Sequence, residues 1–392
     1  MKKRIAVLLG ALGTCSAFAQ SNVTIYGMID MSVGVTDTGS GVTKPGGALA
    51  GPASARITRM DSGVGYGSRL GFRGVEDLGG GLRASFLLEM GIGADNGTFN
   101  QGGLGFGRSA YVGLGAKDWT VTLGRQYAPM LLSISASEPL GGGYWGNVTN
   151  IALGNFESVG STPGNGSYQI NGRVDNAVQL ALRGGAFSGN LMVGAGNEND
   201  RGTGRSIQGN LVYSNGPFRA TTAYARMRQN AEQIIASASP EWLTQWIVGG
   251  NYDFKVVNLF TGYFQATGPK NQANLSPAAT VGSAAASPFA YSWDKNKIAW
   301  LGVRIPLGNN TVQLQAARAS SPYRDGTAGK STVLAAVYEY SLSKRTVAFA
   351  SYAQITNNDR ARTPLLAGIP AVIPSGFGSD PKALSVGIRH TF

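Results

Sequence analysis

A single histidine, His390, and a single cysteine, Cys15, limit the chemistry open to this chain. Hydrolytic triads and dyads need a base held beside a nucleophile. His390 lies two residues from the end in an alternating apolar stretch, and no second histidine exists. Metal ligation needs donors clustered at ligand spacing, and the sequence shows no such cluster. Gly102–Gly107 is glycine-rich but lacks the strand-to-helix context of a phosphate cradle. Asn197–Asp200 has cation-binding residue types, yet a solvated loop suits it better. What remains is fixed charge. The arginines stand singly inside alternating patterns, as in Arg69-Leu-Gly-Phe-Arg73, and not in runs. Such spacing does not make a nucleic-acid surface. It suits the wall of a narrow aqueous passage, where fixed charge favours one sign of ion. The expectation is no enzyme activity, no cofactor, no metal and no nucleic-acid partner.

The elements that would hold those arginines are strands. The chain ends on Ala383-Leu-Ser-Val-Gly-Ile-Arg-His-Thr-Phe392. Leu384, Val386, Ile388, His390 and Phe392 share one face, and Ser385, Gly387, Arg389 and Thr391 the other. One face for lipid, one for a wet lumen and a terminal aromatic at the boundary describe a transmembrane β-strand. At the other end, Lys2 to Arg4 precede an apolar run from Ile5 to Leu12 and the small-x-small site Ala17-Phe18-Ala19. This reads as a signal peptide over residues 1–19, with residues 20–392 forming the mature barrel. A lipoprotein leader ending before Cys15 fits less well, because Thr14 is bulky for that position. Cleavage at Ala19 leaves no cysteine, so disulfides and thiolate chemistry are excluded.

Composition agrees. Only 14% of residues are charged and 58 of 392 are glycine. No apolar run after the leader approaches the ~20 residues of a spanning helix. The net charge is +12; the leader holds three basic residues and no acids, which leaves 30 basic against 21 acidic residues, or +9. Strands are read at 22–34, 67–76, 82–91, 106–115, 119–127, 174–183, 190–197, 205–214, 218–227, 242–253, 256–267, 297–306, 311–320, 331–341, 346–356 and 383–392. Alternation is clear in most; the inward face is ambiguous in the fourth, fifth and eleventh. Connections alternate short and long, which a sandwich has no reason to do. The fold expected is an all-β, 16-stranded antiparallel transmembrane β-barrel with short periplasmic turns and long extracellular loops. Closure removes every unpaired edge, and Tyr213, Phe218, Tyr252 and Tyr340 fall where interfacial girdles sit. The connection from Ala128 to Gly172 exceeds forty residues and carries Leu131, Leu132, Ile134, Tyr144, Trp145 and Phe156. It is expected to fold into the lumen; an external lid is the alternative.

Six segments, spread from end to end, resemble one family. They are Ser21-Asn-Val-Thr-Ile-Tyr-Gly-Met-Ile-Asp30, Ser68-Arg-Leu-Gly-Phe-Arg-Gly-Val-Glu-Asp-Leu-Gly-Gly-Gly-Leu82, Phe106-Gly-Arg-Ser-Ala-Tyr-Val-Gly-Leu114, Thr120-Val-Thr-Leu-Gly-Arg-Gln-Tyr127, Leu342-Ser-Lys-Arg-Thr346 and Val386-Gly-Ile-Arg-His-Thr-Phe392. Together they resemble the general porins of beta-proteobacteria, of the Neisseria and Burkholderia type. The resemblance implies a homotrimer in the outer membrane of a Gram-negative cell, among its lipid and lipopolysaccharide. It implies insertion by the barrel-assembly machinery, which reads the strand ending in Phe392. It implies passive diffusion of small hydrophilic solutes and ions past an inward third loop. By the same resemblance Arg69, Arg108 and Arg173 match the arginines of the constriction. Arg125 is a fourth candidate, although alternation groups it with Val121 and Leu123. Glu89 falls near them on the third strand, and Glu138 and Glu157 of the long loop could form an opposing acidic edge. The basic excess predicts anion preference. Two alternatives stay open: a solute-specific channel, and a surface-binding or adhesion barrel plugged by its loop. The loops Gly268–Asn296 and Asn357–Pro381 carry no family signal.

Overall fold

A computed structural model describes residues 22–40, 54–153, 172–196, 204–228, 241–268, 295–322, 328–361, 363–376 and 378–392. The leader, Asn197–Asp200, Glu157 and most of the loop Gly268–Asn296 lie outside the described residues. The wall begins with β1 (Asn22–Asp37), β2 (Arg56–Ser62), β3 (Arg69–Gly79) and β4 (Leu82–Gly91). A short helical turn α1 (Asn100–Gly103) precedes β5 (Ser109–Gly115) and β6 (Trp119–Tyr127). Helices α2 (Pro129–Ala136) and α3 (Val148–Leu153) belong to the next connection. Then come β7 (Arg173–Gly184), β8 (Phe187–Gly194), β9 (Ser206–Asn215), β10 (Phe218–Arg228), β11 (Trp242–Asp253) and β12 (Asn258–Thr267). The wall continues with β13 (Lys295–Leu307), β14 (Asn310–Pro322), β15 (Ala328–Ser341) and β16 (Thr346–Asn357). A small hairpin, β17 (Leu365–Leu366) with β18 (Ala371–Val372), precedes the last strand, β19 (Lys382–Thr391).

Each wall strand pairs antiparallel with its neighbours in chain order. The circle closes where β1 meets β19, from Met28↔Thr391 to Asp37↔Lys382. Phe392 donates its N–H to the Gly27 carbonyl at 3.1 Å and accepts from the Gly27 N–H at 3.0 Å. Closure leaves no backbone edge open to lipid. The main ring has seventeen strand segments but sixteen wall positions, because β2 and β3 share one: β2 pairs with the upper half of β1 and β3 with the lower half. Between them residues 63–68 leave the wall and turn inward. Asp30, fully buried, holds this excursion by accepting from the N–H groups of Gly65 and Tyr66, both at 3.1 Å. Alternation in the sequence predicts a single strand at 67–76 here and does not mark β2.

The outer face carries apolar side chains at alternate positions: Val178 and Leu182 on β7, Leu191 and Val193 on β8, Leu384, Val386 and Ile388 on β19. Such a face is stable only against lipid. No helix among the described residues is long and apolar enough to cross a membrane. Aromatics gather at the short-turn end, where Phe187, Tyr213 and Phe218 stack at centroid distances of 5.0 and 6.2 Å, and Tyr252 lies 4.5 Å from Phe254.

The inner face departs from simple polar-in alternation. Leu243 and Ile247 on β11, Phe260 and Phe264 on β12, and Ile298 and Trp300 on β13 all point inward and are buried. They form a bed for the long connection, so on β12 the inward parity of Phe260, Phe264 and Ala266 is the apolar one, while Thr261 and Gln265 stand beside Leu259 on the outer face. That explains its ambiguous register. On β6 the ambiguity has another cause: Gly124, at φ 131, sits in a bulge that shifts the pairing with β7. The fourth strand is expected from residue 106, whereas β5 starts at Ser109.

Candidate pore constriction

The described part of the connection after β6 folds into the lumen. Helix α2 lies across β8 to β11. The Ser133 hydroxyl accepts from Asn210 Nδ2 at 3.1 Å and from Thr221 Oγ1 at 3.0 Å. Farther along, Trp300 Nε1 donates to the Ser137 carbonyl at 2.7 Å and Gln315 Nε2 to the Gly146 carbonyl at 2.9 Å. Trp145, fully buried, donates from Nε1 to Ser385 Oγ on β19 at 2.9 Å. Room for so close an approach comes from glycine: a Cβ on Gly249 would stand 2.7 Å from Ser137, and one on Gly302 2.6 Å from Pro139. The loop therefore runs round the inner wall from β8 to β19.

Between it and the wall lies a cavity of about 310 Å³. One side belongs to the wall near the starts of β3, β5 and β7, where Arg69, Arg108 and Arg173 line it with Tyr127. Arg108 Nε lies 2.7 Å from Glu89 Oε1, and its Nη2 donates to the Tyr127 hydroxyl at 2.6 Å. Arg173 lies 4.8 Å from the centre of the Tyr127 ring and donates from Nε to the Arg108 carbonyl at 3.1 Å. Arg69 Nε donates to the Gly67 carbonyl at 3.1 Å. Tyr26 donates to the other Glu89 oxygen at 2.7 Å. Glu89 is thus bound into the arginine side through Arg108.

The opposite side, among the described residues, is neutral. Leu131, Leu132 and Ser135 come from α2, Thr149 and Asn150 from α3, and Gly368 and Ile369 from the β17–β18 hairpin. The expected acidic edge is not built by Glu138. That carboxylate is 1% exposed and accepts from the N–H groups of Gly142, Val148 and Thr149 at 3.0, 2.6 and 3.0 Å. The Thr149 hydroxyl is a fourth donor. Burial pushes the Glu138 carboxyl above the ordinary carboxylate range, and these donors pull the other way. Its work is to hold the loop together at the start of α3. Glu157 lies outside the described residues. Arg125 does not line the passage either. The bulge at Gly124 shifts the register so that Tyr127 reaches the interior, and Arg125 pairs with Asp175 at 2.5 Å.

A second charged cluster is not evident in the sequence. Glu339 on β15 accepts from Arg389 Nη2 at 2.9 Å and Gln313 Nε2 at 2.9 Å, with Arg304 at 3.5 Å. The loop enters this cluster through Tyr144, whose hydroxyl donates to Glu339 and accepts from Arg389 Nη1 at 2.7 Å. Arg389 also lies 4.9 Å from the centre of the Tyr66 ring. The available signal is parity: Arg389 shares its face with Ser385, and Glu339 with the inward Val337. His390 faces outward, with Nδ1 2.9 Å from Thr346 Oγ1.

Comparison with known proteins agrees with this architecture. Residues 5–360 match the family model described as Gram-negative porin. An outer membrane porin protein of Bordetella pertussis is 30% identical over the full length of both chains. Outer membrane porin protein 32 of Delftia acidovorans is 28% identical, again over all of both. Among solved structures, the anion-selective porin from Comamonas acidovorans superposes with a TM-score of 0.69 at 24% identity, covering 95% of this chain and 100% of that one. The trimer form of OmpT from Vibrio cholerae gives 0.61 at 11% identity, covering 95% and 99%.

Proposed function

This chain belongs to the Gram-negative porin family, an outer-membrane channel family whose members are not enzymes, and from that premise we propose that its passage prefers small anions. The observation that carries the reading is the unequal charge of the two sides. Arg69, Arg108 and Arg173 share one side with Glu89, and the described groups across the passage are neutral. In a narrow space flanked by low-dielectric protein, that excess attracts anions and repels cations. The anion-selective porin of Comamonas acidovorans supports the same sign by likeness of fold.

Around this core the remaining parts are assigned as follows. Residues 1–19 are a signal peptide cleaved after Ala19. The barrel works as a homotrimer with one passage per subunit, surrounded by outer-membrane lipid and lipopolysaccharide. The strand ending in Phe392 is what the barrel-assembly machinery recognises. Solutes cross by passive diffusion. A second reading, a solute-specific channel, is favoured by one observation: residues of two separate connections line the same small cavity. A surface-binding barrel plugged by its loops would carry no current.

The test is conductance of the purified, heat-modifiable protein in planar bilayers. Stepwise openings in groups of three support a trimer of open channels, and saturation of current by one solute would favour the specific channel. Correctly folded protein that never conducts would overturn both.

A further inference from the structure

We propose that the outer face of β13, β14 and β15, at the end opposite the short turns, is a docking surface for the phosphorylated headgroup of an outer-leaflet glycolipid, held by Lys297, Arg318 and Lys330. This rests on the outer-membrane location and not on the channel reading. A cation facing lipid is costly at the bilayer midplane and is tolerated only near an interface. Three of them on adjacent strands mark the depth at which the wall leaves the acyl chains.

The strand register gathers them into one patch. Leu301, Ala316 and Leu334 stand side by side and face outward. Two residues farther from the short turns, roughly 7 Å along each strand, the row reads Ala299, Arg318 and Thr332. Two residues farther again it reads Lys297, Ser320 and Lys330. The outer face therefore changes from aliphatic to cationic within two steps. Lys297 and Lys330 flank Ser320 at two strand spacings, about 10 Å, and Arg318 stands one step below its hydroxyl. Arg318 and Lys330 are exposed and Lys297 is half-buried. Among the described residues none of the three forms an ion pair.

The depth has an independent marker. Tyr263 pairs directly with Ala299, and its ring lies 5.2 Å from that of Trp246 on the same outer face. Outward aromatics of this kind belong to the layer between acyl chains and headgroups. The donor set suits phosphate. Arg318 offers a planar fork for two oxygens, Lys297 and Lys330 offer movable point charges, and Ser320 adds a hydroxyl. Their aliphatic stems lie along the apolar wall while the charged ends stay with the headgroup. Cations spread over about 10 Å match a sugar headgroup bearing more than one phosphate. A phospholipid, with a single phosphate, engages only part of the patch.

The probe is rough-type lipopolysaccharide, titrated onto the detergent-purified protein and read by native mass spectrometry. The variant is Lys297→Gln/Arg318→Gln/Lys330→Gln. The expected result is a loss of affinity on the order of tenfold or more, with an unchanged zero-current potential, because the three side chains face away from the lumen. Dephosphorylated lipopolysaccharide should bind the wild type as weakly as the intact lipid binds the variant. That arm needs no variant and decides the matter if the triple change prevents folding. Equal binding by wild type and folded variant overturns the proposal, and so does full retention of the dephosphorylated lipid. Phosphatidylglycerol bound as tightly as the glycolipid overturns the choice of headgroup. A barrel that binds the glycolipid through these residues but carries no current supports this proposal and removes the channel reading alone.

Discussion

Arg108 and Arg69 carry the same charge in different company, and that difference separates their mutants. Arg108 is buried against Glu89, so Arg108→Gln leaves a carboxylate without its partner. Breaking a buried pair from one side costs on the order of 3–5 kcal/mol. The expected outcome is a barrel with weaker chloride preference and a lower unfolding temperature. Arg69 donates to the Gly67 carbonyl and makes no ion pair within 4.0 Å among the described residues. Arg69→Gln should weaken chloride preference to a similar degree with a smaller effect on unfolding, read by paired reversal-potential and heat-modifiability measurements. The sequence points to the arginine side because Arg69 and Arg108 sit in family-like motifs. It could not place Glu138, since which donors a loop carboxylate meets depends on how the loop folds back on itself.

At the scale of elements, the third loop depends on that internal carboxylate. Glu138→Gln puts an amide N–H₂ where backbone N–H groups already point, leaving a buried donor unsatisfied at about 1–3 kcal/mol. Thermal unfolding should shift down and current noise should rise, while the zero-current potential stays at the wild-type value. A selectivity shift as large as that of Arg69→Gln would place Glu138 in the passage after all. Strand alternation makes most of the wall legible. It fails where a second demand acts on the same residues. On β12, Phe260 and Phe264 form the loop bed while Thr261 and Gln265 stand beside Leu259 on the outer face, so the apolar parity is the inner one. On β6 the bulge at Gly124 breaks the parity by which Arg125 is judged. Strand β2 escapes the pattern because the wall position it shares with β3 is interrupted by residues 63–68. The side chain that fixes this excursion, Asp30, belongs to β1, so no neighbouring residue announces it.

For the whole molecule, closure is the condition for everything inside it. Phe392 makes two backbone bonds with Gly27 and its ring packs where a Cβ on Gly27 would fall, 2.3 Å away. Deleting Phe392 should lower the yield of assembled, heat-modifiable barrel in cells and have a smaller effect on refolding in detergent, since the larger role proposed for it is recognition during insertion. Equal losses in both settings would make it a structural residue only. The sixteen-position barrel is legible because lipid imposes one rule on every strand. The hairpin at 365–372 is not, because nothing in its composition distinguishes a tip in the lumen from one packed elsewhere.

The central claim is that the excess of arginine on one side of the passage sets its ion preference. The most direct measurement is the zero-current potential across a planar bilayer under a KCl gradient, for the wild type, Glu89→Gln and the Arg69→Gln/Arg173→Gln double variant. The predicted result is a chloride-favouring potential for the wild type, a stronger one when Glu89 is neutralised, and a shift toward potassium in the double variant. A cation-favouring wild type, or potentials that do not move in opposite directions in the two variants, would contradict it.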